Sequence, residues 1–157
     1  MTREGFAPFG DVIETTGASH YGINGGAIER YHDLARVEVD TVGRTLVSIF
    51  ECRRVGELPH RIALVERHPL GSQAFVPLSG ARMIVVVAPP GDPPSPEQLH
   101  AFVSNGEQGV NYRAGVWHMP LVAFDAGQRF LVVDRGGPGG NCDEHRFEHK
   151  CILVRVP

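Results

Sequence analysis

The chain has 157 residues and a net charge of −3, from 15 Lys and Arg against 18 Asp and Glu; one domain of ordinary size over 1–157 is expected. No stretch gathers the basic residues into a stripe, which argues against nucleic acid and anionic membrane as partners. The longest apolar runs, 83–88 and 130–133, fall far short of the ~20 residues needed to span a bilayer.

From the N-terminus, Met1-Thr2-Arg3-Glu4 leads into a mixed polar and aromatic segment without the apolar core of a signal peptide. A cytoplasmic protein is expected. Cys52, Cys142 and Cys151 are an odd count with no CxxC spacing, which reads as free thiols. Gly (19) and Pro (12) together make about a fifth of the chain. Such density breaks long helices, because Gly costs roughly 1 and Pro roughly 3 kcal/mol in a helix interior. What remains between the breaks is strand-sized and rich in Val, Ile, Leu and Phe: 45–51, 62–66, 73–77, 82–88, 116–124, 129–134 and 147–156. The pattern predicts an all-β sandwich or barrel with few short helices. One helix is expected to start at Ser95-Pro96-Glu97-Gln98, where a hydroxyl cap, a first-turn proline and a capping-box Gln coincide. Leu99, Phe102 and Val103 would form its apolar stripe, and Asn105-Gly106 its end.

Eight histidines are present. His20, His100, His145 and His149 sit in polar or turn-like surroundings and are expected at the surface; His32 and His60 carry no clear signal. His68 and His118 belong to patterned segments. Glu66 and His68 are two apart, so on an extended strand both side chains point to one face. The turn after His68 reverses the chain, and Gln73 opens the next strand and returns a third polar group. Gly80 permits the following tight turn.

This spacing resembles the first motif of the cupin superfamily, with Glu66 where its first His would stand and Gln73 where its Glu would stand. The second cupin motif is similar to Arg113-Ala114-Gly115-Val116-Trp117-His118, with Arg113 in place of proline. The resemblance implies a jelly-roll β-barrel in which Glu66, His68, Gln73 and His118 converge on a divalent metal. Two imidazoles with carboxylate and amide oxygens suit Ni²⁺, Zn²⁺, Mn²⁺ or Fe²⁺.

Longer strings narrow the resemblance. Glu29-Arg30-Tyr31-His32-Asp33-Leu34-Ala35, Glu66-Arg67-His68-Pro69-Leu70-Gly71-Ser72-Gln73-Ala74-Phe75 and Asn105-Gly106-Glu107-Gln108-Gly109-Val110-Asn111-Tyr112-Arg113 are similar to the ureidoglycolate lyase family of allantoin degradation. So are Asp134-Arg135-Gly136-Gly137 and Asn141-Cys142. The likeness covers nearly the whole chain. It implies cleavage of ureidoglycolate to glyoxylate and urea by a homodimeric enzyme, with a divalent metal, nickel first. His68, His118 and Glu66 are then the expected catalytic residues, with Gln73 beside them as ligand or substrate contact. Arg30 is the expected clamp for the substrate carboxylate, since a guanidinium pairs with a carboxylate through two donors; Arg113 and Arg135 are weaker candidates, and Tyr112 and Trp117 are expected to line the pocket. Cys142 is set aside as a nucleophile, because the elimination needs no covalent intermediate. Two alternatives stay open: an amidohydrolase releasing ammonia and carbon dioxide, and a cupin that binds a small acid without turnover.

Overall fold

A computed structural model describes residues 1–80, 82–147 and 152–154. After a single helical turn, α1 (Arg3–Phe6), come β1 (Gly10–Ile13), the pair β2 (His20–Ile23) and β3 (Ile28–Tyr31), and the long β4 (Arg44–Glu51). The middle of the chain supplies β5 (His60–Ile62), β6 (Leu64–Arg67), β7 (Gln73–Pro77), β8 (Met83–Ala88), β9 (His100–Val103) and β10 (Gly109–Tyr112). The short β11 (Trp117–His118) and β12 (Val122–Ala123) precede β13 (Arg129–Gly136), β14 (Asp143–Arg146) and β15 (Ile152–Val154). All described pairings are antiparallel. One sheet runs β1-β10-β7-β13-β4; in the other, β9 and the β11/β12 segment flank β8, and β6 and β14 follow β11. The expected all-β, cupin-like architecture is what forms.

The two sheets face one another across a shared core. Phe75, Val110, Tyr112, Phe130 and Val132 from the first meet Met83, Val85 and Val87 from the second. Alternate residues of β8, Ile84, Val86 and Ala88, point the other way into a second cluster with Ile62, Val65, Trp117 and Met119. A strand buried on both faces has no polar alternation to show, which is why 83–88 is an unbroken apolar run. At its start, the Met83 N–H donates to the buried Ser104 Oγ at 3.0 Å. Ser104→Ala is expected to lower stability by about 1–2 kcal/mol, because the donor loses its acceptor out of reach of water. A thermal melt reads this as a drop of a few degrees.

The helix expected at Ser95 is a single 3-10 turn over Pro96–Gln98. The cap forms, with the Ser95 N–H donating to Gln98 Oε1 at 2.8 Å, but Leu99 is already extended and 100–103 pairs with β8. An open edge of β8 satisfies four residues' worth of backbone and packs Phe102 edge-on against Phe6 at 5.5 Å, which outweighs a helix of one or two turns. Asn105 ends a strand, not a helix; its side chain accepts from the Glu107 and Gln108 N–H groups.

The segment expected as one strand over 116–124 is split into β11 and β12 around Pro120, which has no N–H to give a ladder. Likewise 62–66 is divided between β5 and β6. Of the strand expected at 147–156, only 152–154 is described as strand, paired with β5; 148–151 and 155–157, including His149 and Cys151, lie outside the described residues. Cys52 and Cys142 are free thiols, as expected.

Candidate active site

Glu66 ends β6 opposite His118 on β11, and His68 follows two residues later. The loop that leaves His68 is tied down from several sides. The Gly115 N–H donates to the His68 carbonyl at 2.9 Å, holding it beside the turn that leads to His118; Gly115 has φ of +79°, a conformation glycine adopts without strain. Further on, the Ser72 N–H donates to the Glu38 carbonyl and the Glu38 N–H to Ser72 Oγ, at 2.9 and 2.8 Å. Gln73 then starts β7 in the facing sheet, opposite Tyr112. The result is a polar cluster built from both sheets.

The ligand atoms of Glu66, His68 and His118 all lie within 4.8 Å of one another. His118 Nδ1 meets the Val116 carbonyl at 3.1 Å and His68 Nδ1 the Asn141 carbonyl at 2.6 Å. A carbonyl only accepts, so each Nδ1 carries the proton and each Nε2 presents a lone pair. Both Nε2 atoms and Gln73 Oε1 are buried without a hydrogen-bond partner. His118 Nε2 lies 3.6 Å from Glu66 Oε1, too far for a hydrogen bond. Buried acceptors turned on one another are costly unless a cation or a donor comes between them. The donor set therefore fits a divalent metal: two imidazoles fixed by carbonyls through their other nitrogen, and oxygens from a carboxylate and an amide.

Burial pushes the His118 pKa down, so its imidazole stays neutral, the form that ligates a metal. Tyr112 stacks on His118, with ring centroids 4.3 Å apart and planes 15° apart, and burial raises its phenol pKa well above the ordinary value. It is a wall of the site, not an ionising group. Glu66, Gln73 and Phe75 also line a cavity of about 470 Å³ with Phe50, Glu51, Cys52, Pro120 and Leu121.

Other expected residues are placed elsewhere. Arg30 sits on exposed β3, its guanidinium 5.8 Å from the Tyr21 ring. Arg113 lines a separate cavity with Arg3, Asp11 and His32. Trp117 packs into the second core cluster, its Nε1 donating to the Gly91 carbonyl at 3.3 Å; as the strand neighbour of His118 it faces the opposite side of the sheet. Arg135 is also unavailable, because Asp40 holds its guanidinium through two contacts of 2.9 and 3.0 Å. Cys142 Sγ lies 4.0 Å from Glu66 Oε2, and burial with the neighbouring carboxylates of Glu66, Glu144 and Asp143 raises its pKa. That disfavours the thiolate a nucleophile needs.

Asn141 is a positioning residue that the sequence reading passed over. Its carbonyl orients His68, and its side chain Oδ1 accepts from the Leu70 N–H at 2.8 Å. One residue thus holds both the His68 ring and the backbone two residues further on. The available signal was its place at the end of the Gly139-Gly140 run, where backbone can approach closely.

A family model described as ureidoglycolate lyase matches residues 1–154. A protein of Azotobacter vinelandii named ureidoglycolate lyase is 52% identical over 159 residues, covering 100% of this chain and 95% of that protein. One of the same name from Pseudomonas aeruginosa strain LESB58 is 54% identical over 158 residues, covering 100% and 93%. Another, from Pseudomonas entomophila, is 50% identical and covers 100% and 94%.

Proposed function

The chain belongs to the ureidoglycolate lyase family, and from that premise we propose that it cleaves ureidoglycolate to glyoxylate and urea in purine degradation. The observation that carries the chemistry is the pair of partnerless acceptors His68 Nε2 and His118 Nε2 gathered with the Glu66 carboxylate, with the partnerless Gln73 Oε1 on the wall of the cavity that Glu66 also lines. Ureidoglycolate bears a hydroxyl and a ureido nitrogen on one carbon, next to a carboxylate. Cleavage moves the hydroxyl proton to a base, forms the aldehyde carbonyl and breaks the carbon–nitrogen bond; the ureido nitrogen takes up a proton and leaves as urea. No water is consumed.

Glu66 is the base in this reading. Its Oε1 is turned to His118, and its Oε2, met only by the long 4.0 Å contact from Cys142 Sγ, accepts the hydroxyl proton and returns it to the departing nitrogen. His68, His118 and Gln73, with Glu66, would hold a divalent cation, nickel first by the family resemblance; when bound it supplies Lewis acidity that lowers the hydroxyl pKa. Tyr112 fixes the plane of His118 by stacking. Phe50, Phe75 and Leu121 give the cavity that Glu66 and Gln73 line an apolar wall.

The test is product analysis. Urea and glyoxylate are expected in equal amounts with no ammonia, whereas ammonia in place of urea would mean an amidohydrolase. Removal of metal by a chelator is expected to suppress urea release and a divalent ion to restore it; unchanged turnover in metal-free protein would remove the cation from the mechanism.

We further propose a cytoplasmic homodimer. Among the described residues no helix is long and apolar enough to cross a membrane. Edge strand β4 turns Val47, 70% exposed, and Ile49, 54% exposed, to the outer face of its sheet, an apolar patch that packing against a second copy would cover. Sedimentation is expected to give twice the 17.1 kDa chain mass; a monomer at micromolar concentration would count against it.

A further inference from the structure

Asp134 Oδ1 is a buried oxygen without a hydrogen-bond partner, and its place in the sheet puts it in the same interior row as the site. On β13 it alternates with Phe130 and Val132, both in the core between the sheets. The register of β13 on β7 runs from Phe130 opposite Pro77 to Val133 opposite Ala74, so Asp134 falls opposite Gln73. Gln73 in turn faces Tyr112 across the ladder. Tyr112, Gln73 and Asp134 therefore form a row on three adjacent strands, with His118 stacked on its first member. Arg135, the neighbouring cation in sequence, points to the other face and is bound by Asp40.

A carboxylate oxygen only accepts, and a buried acceptor left unmet is costly. Its natural complement is a ligand rich in N–H groups. Ureidoglycolate has two chemically opposite ends: a carboxylate with its hydroxyl, and a ureido group carrying three N–H bonds. We infer that Asp134 is the specificity-determining residue for the ureido end, accepting its N–H groups while the carboxylate and hydroxyl lie toward His68 and His118. This rests on the reading given above of the site as a ureidoglycolate site.

The test uses two unreactive probes: ureidoacetate, which keeps the ureido group and carboxylate but has no hydroxyl to deprotonate, and glycolate, which keeps the hydroxyl and carboxylate but has no ureido group. Calorimetric titration of Asp134→Asn and Asp134→Ser is expected to show ureidoacetate binding weakened at least about tenfold, the scale of one hydrogen bond to a charged acceptor. Glycolate binding is expected to change less than about twofold, since a change confined to one probe is what a contact to the ureido group predicts. Equal loss for both probes, no loss for either, failure of both variants to fold, or a wild-type protein that binds neither probe would each overturn the inference. Wild-type protein that binds ureidoacetate through Asp134 yet releases no urea from ureidoglycolate would instead sink the functional reading and leave the recognition of a ureido group standing.

Discussion

His68→Ala and His118→Ala are each expected to lower kcat for urea release by at least ~10²-fold, the low end for a group acting on proton transfer or holding the metal that does. Each histidine contributes one unpartnered Nε2 to the cluster, and each is aimed by a carbonyl on its Nδ1. No other described histidine joins the group. The two variants should differ in stability. His118 is 1% exposed and stacked on Tyr112, so its removal leaves a void in the core; His68 is only half-buried and its removal should be better tolerated. The His68→Ala protein is thus the cleaner measurement, with a near-native melt and a collapsed kcat expected together. Near-normal turnover in both variants would refute the site.

Asp40→Ala is expected to destabilise the protein by about 3 kcal/mol, because removing one partner of a buried pair strands the other's charge. The Arg135 side chain is 1% exposed and Asp40 26%, which places the cost at the lower end for buried pairs. At a few degrees per kcal/mol for a chain of this size, the melting temperature should fall by roughly 6–12 °C. The double variant Asp40→Ala with Arg135→Met is expected to recover much of that loss, since an apolar side chain of similar reach does not need a counter-charge. Failure of the double variant to recover would show that Asp40 acts through something other than this charge.

The pair also bears on the site. The Asp40 N–H donates to the Leu70 carbonyl, and Val39 bridges Gly71; a Cβ on Gly71 would come within 2.6 Å of Arg135 Cβ. The ion pair therefore clamps the loop between His68 and Gln73. Asp40→Ala should lower kcat as well as stability.

Much of the frame was legible from residues. The runs at 45–51, 73–77, 82–88 and 129–134 became β4, β7, β8 and β13, because Val, Ile and Phe suit a pleated surface and their Gly and Pro borders stop anything longer. Strands of polar or mixed sequence were not legible. In β14, Asp143-Glu144-His145-Arg146 has no apolar alternation and is a strand because it completes the edge of β6; β9 is one because β8 offered an edge. Partners, not propensity, made these strands.

The site divides in the same way. The i, i+2 relation of Glu66 and His68 is local, and any unbulged strand would put both on one face. Trp117 beside His118 carried a local signal too, since neighbours on a strand face apart. What no local rule supplies is the register that sets His118 opposite Glu66 and Gln73 opposite Tyr112. Arg30 and Asp134 show the difference. The chemistry of a guanidinium suggested a carboxylate clamp, but the fold leaves Arg30 on an exposed hairpin. Asp134 follows the apolar run of β13, and only the register of β13 on β7, continued one residue past Val133, brings it opposite Gln73. Residue types and spacings along one strand determined which side chains could share a face; closing two sheets over one core decided which faces met, because that choice depends on pairings between residues far apart in the chain.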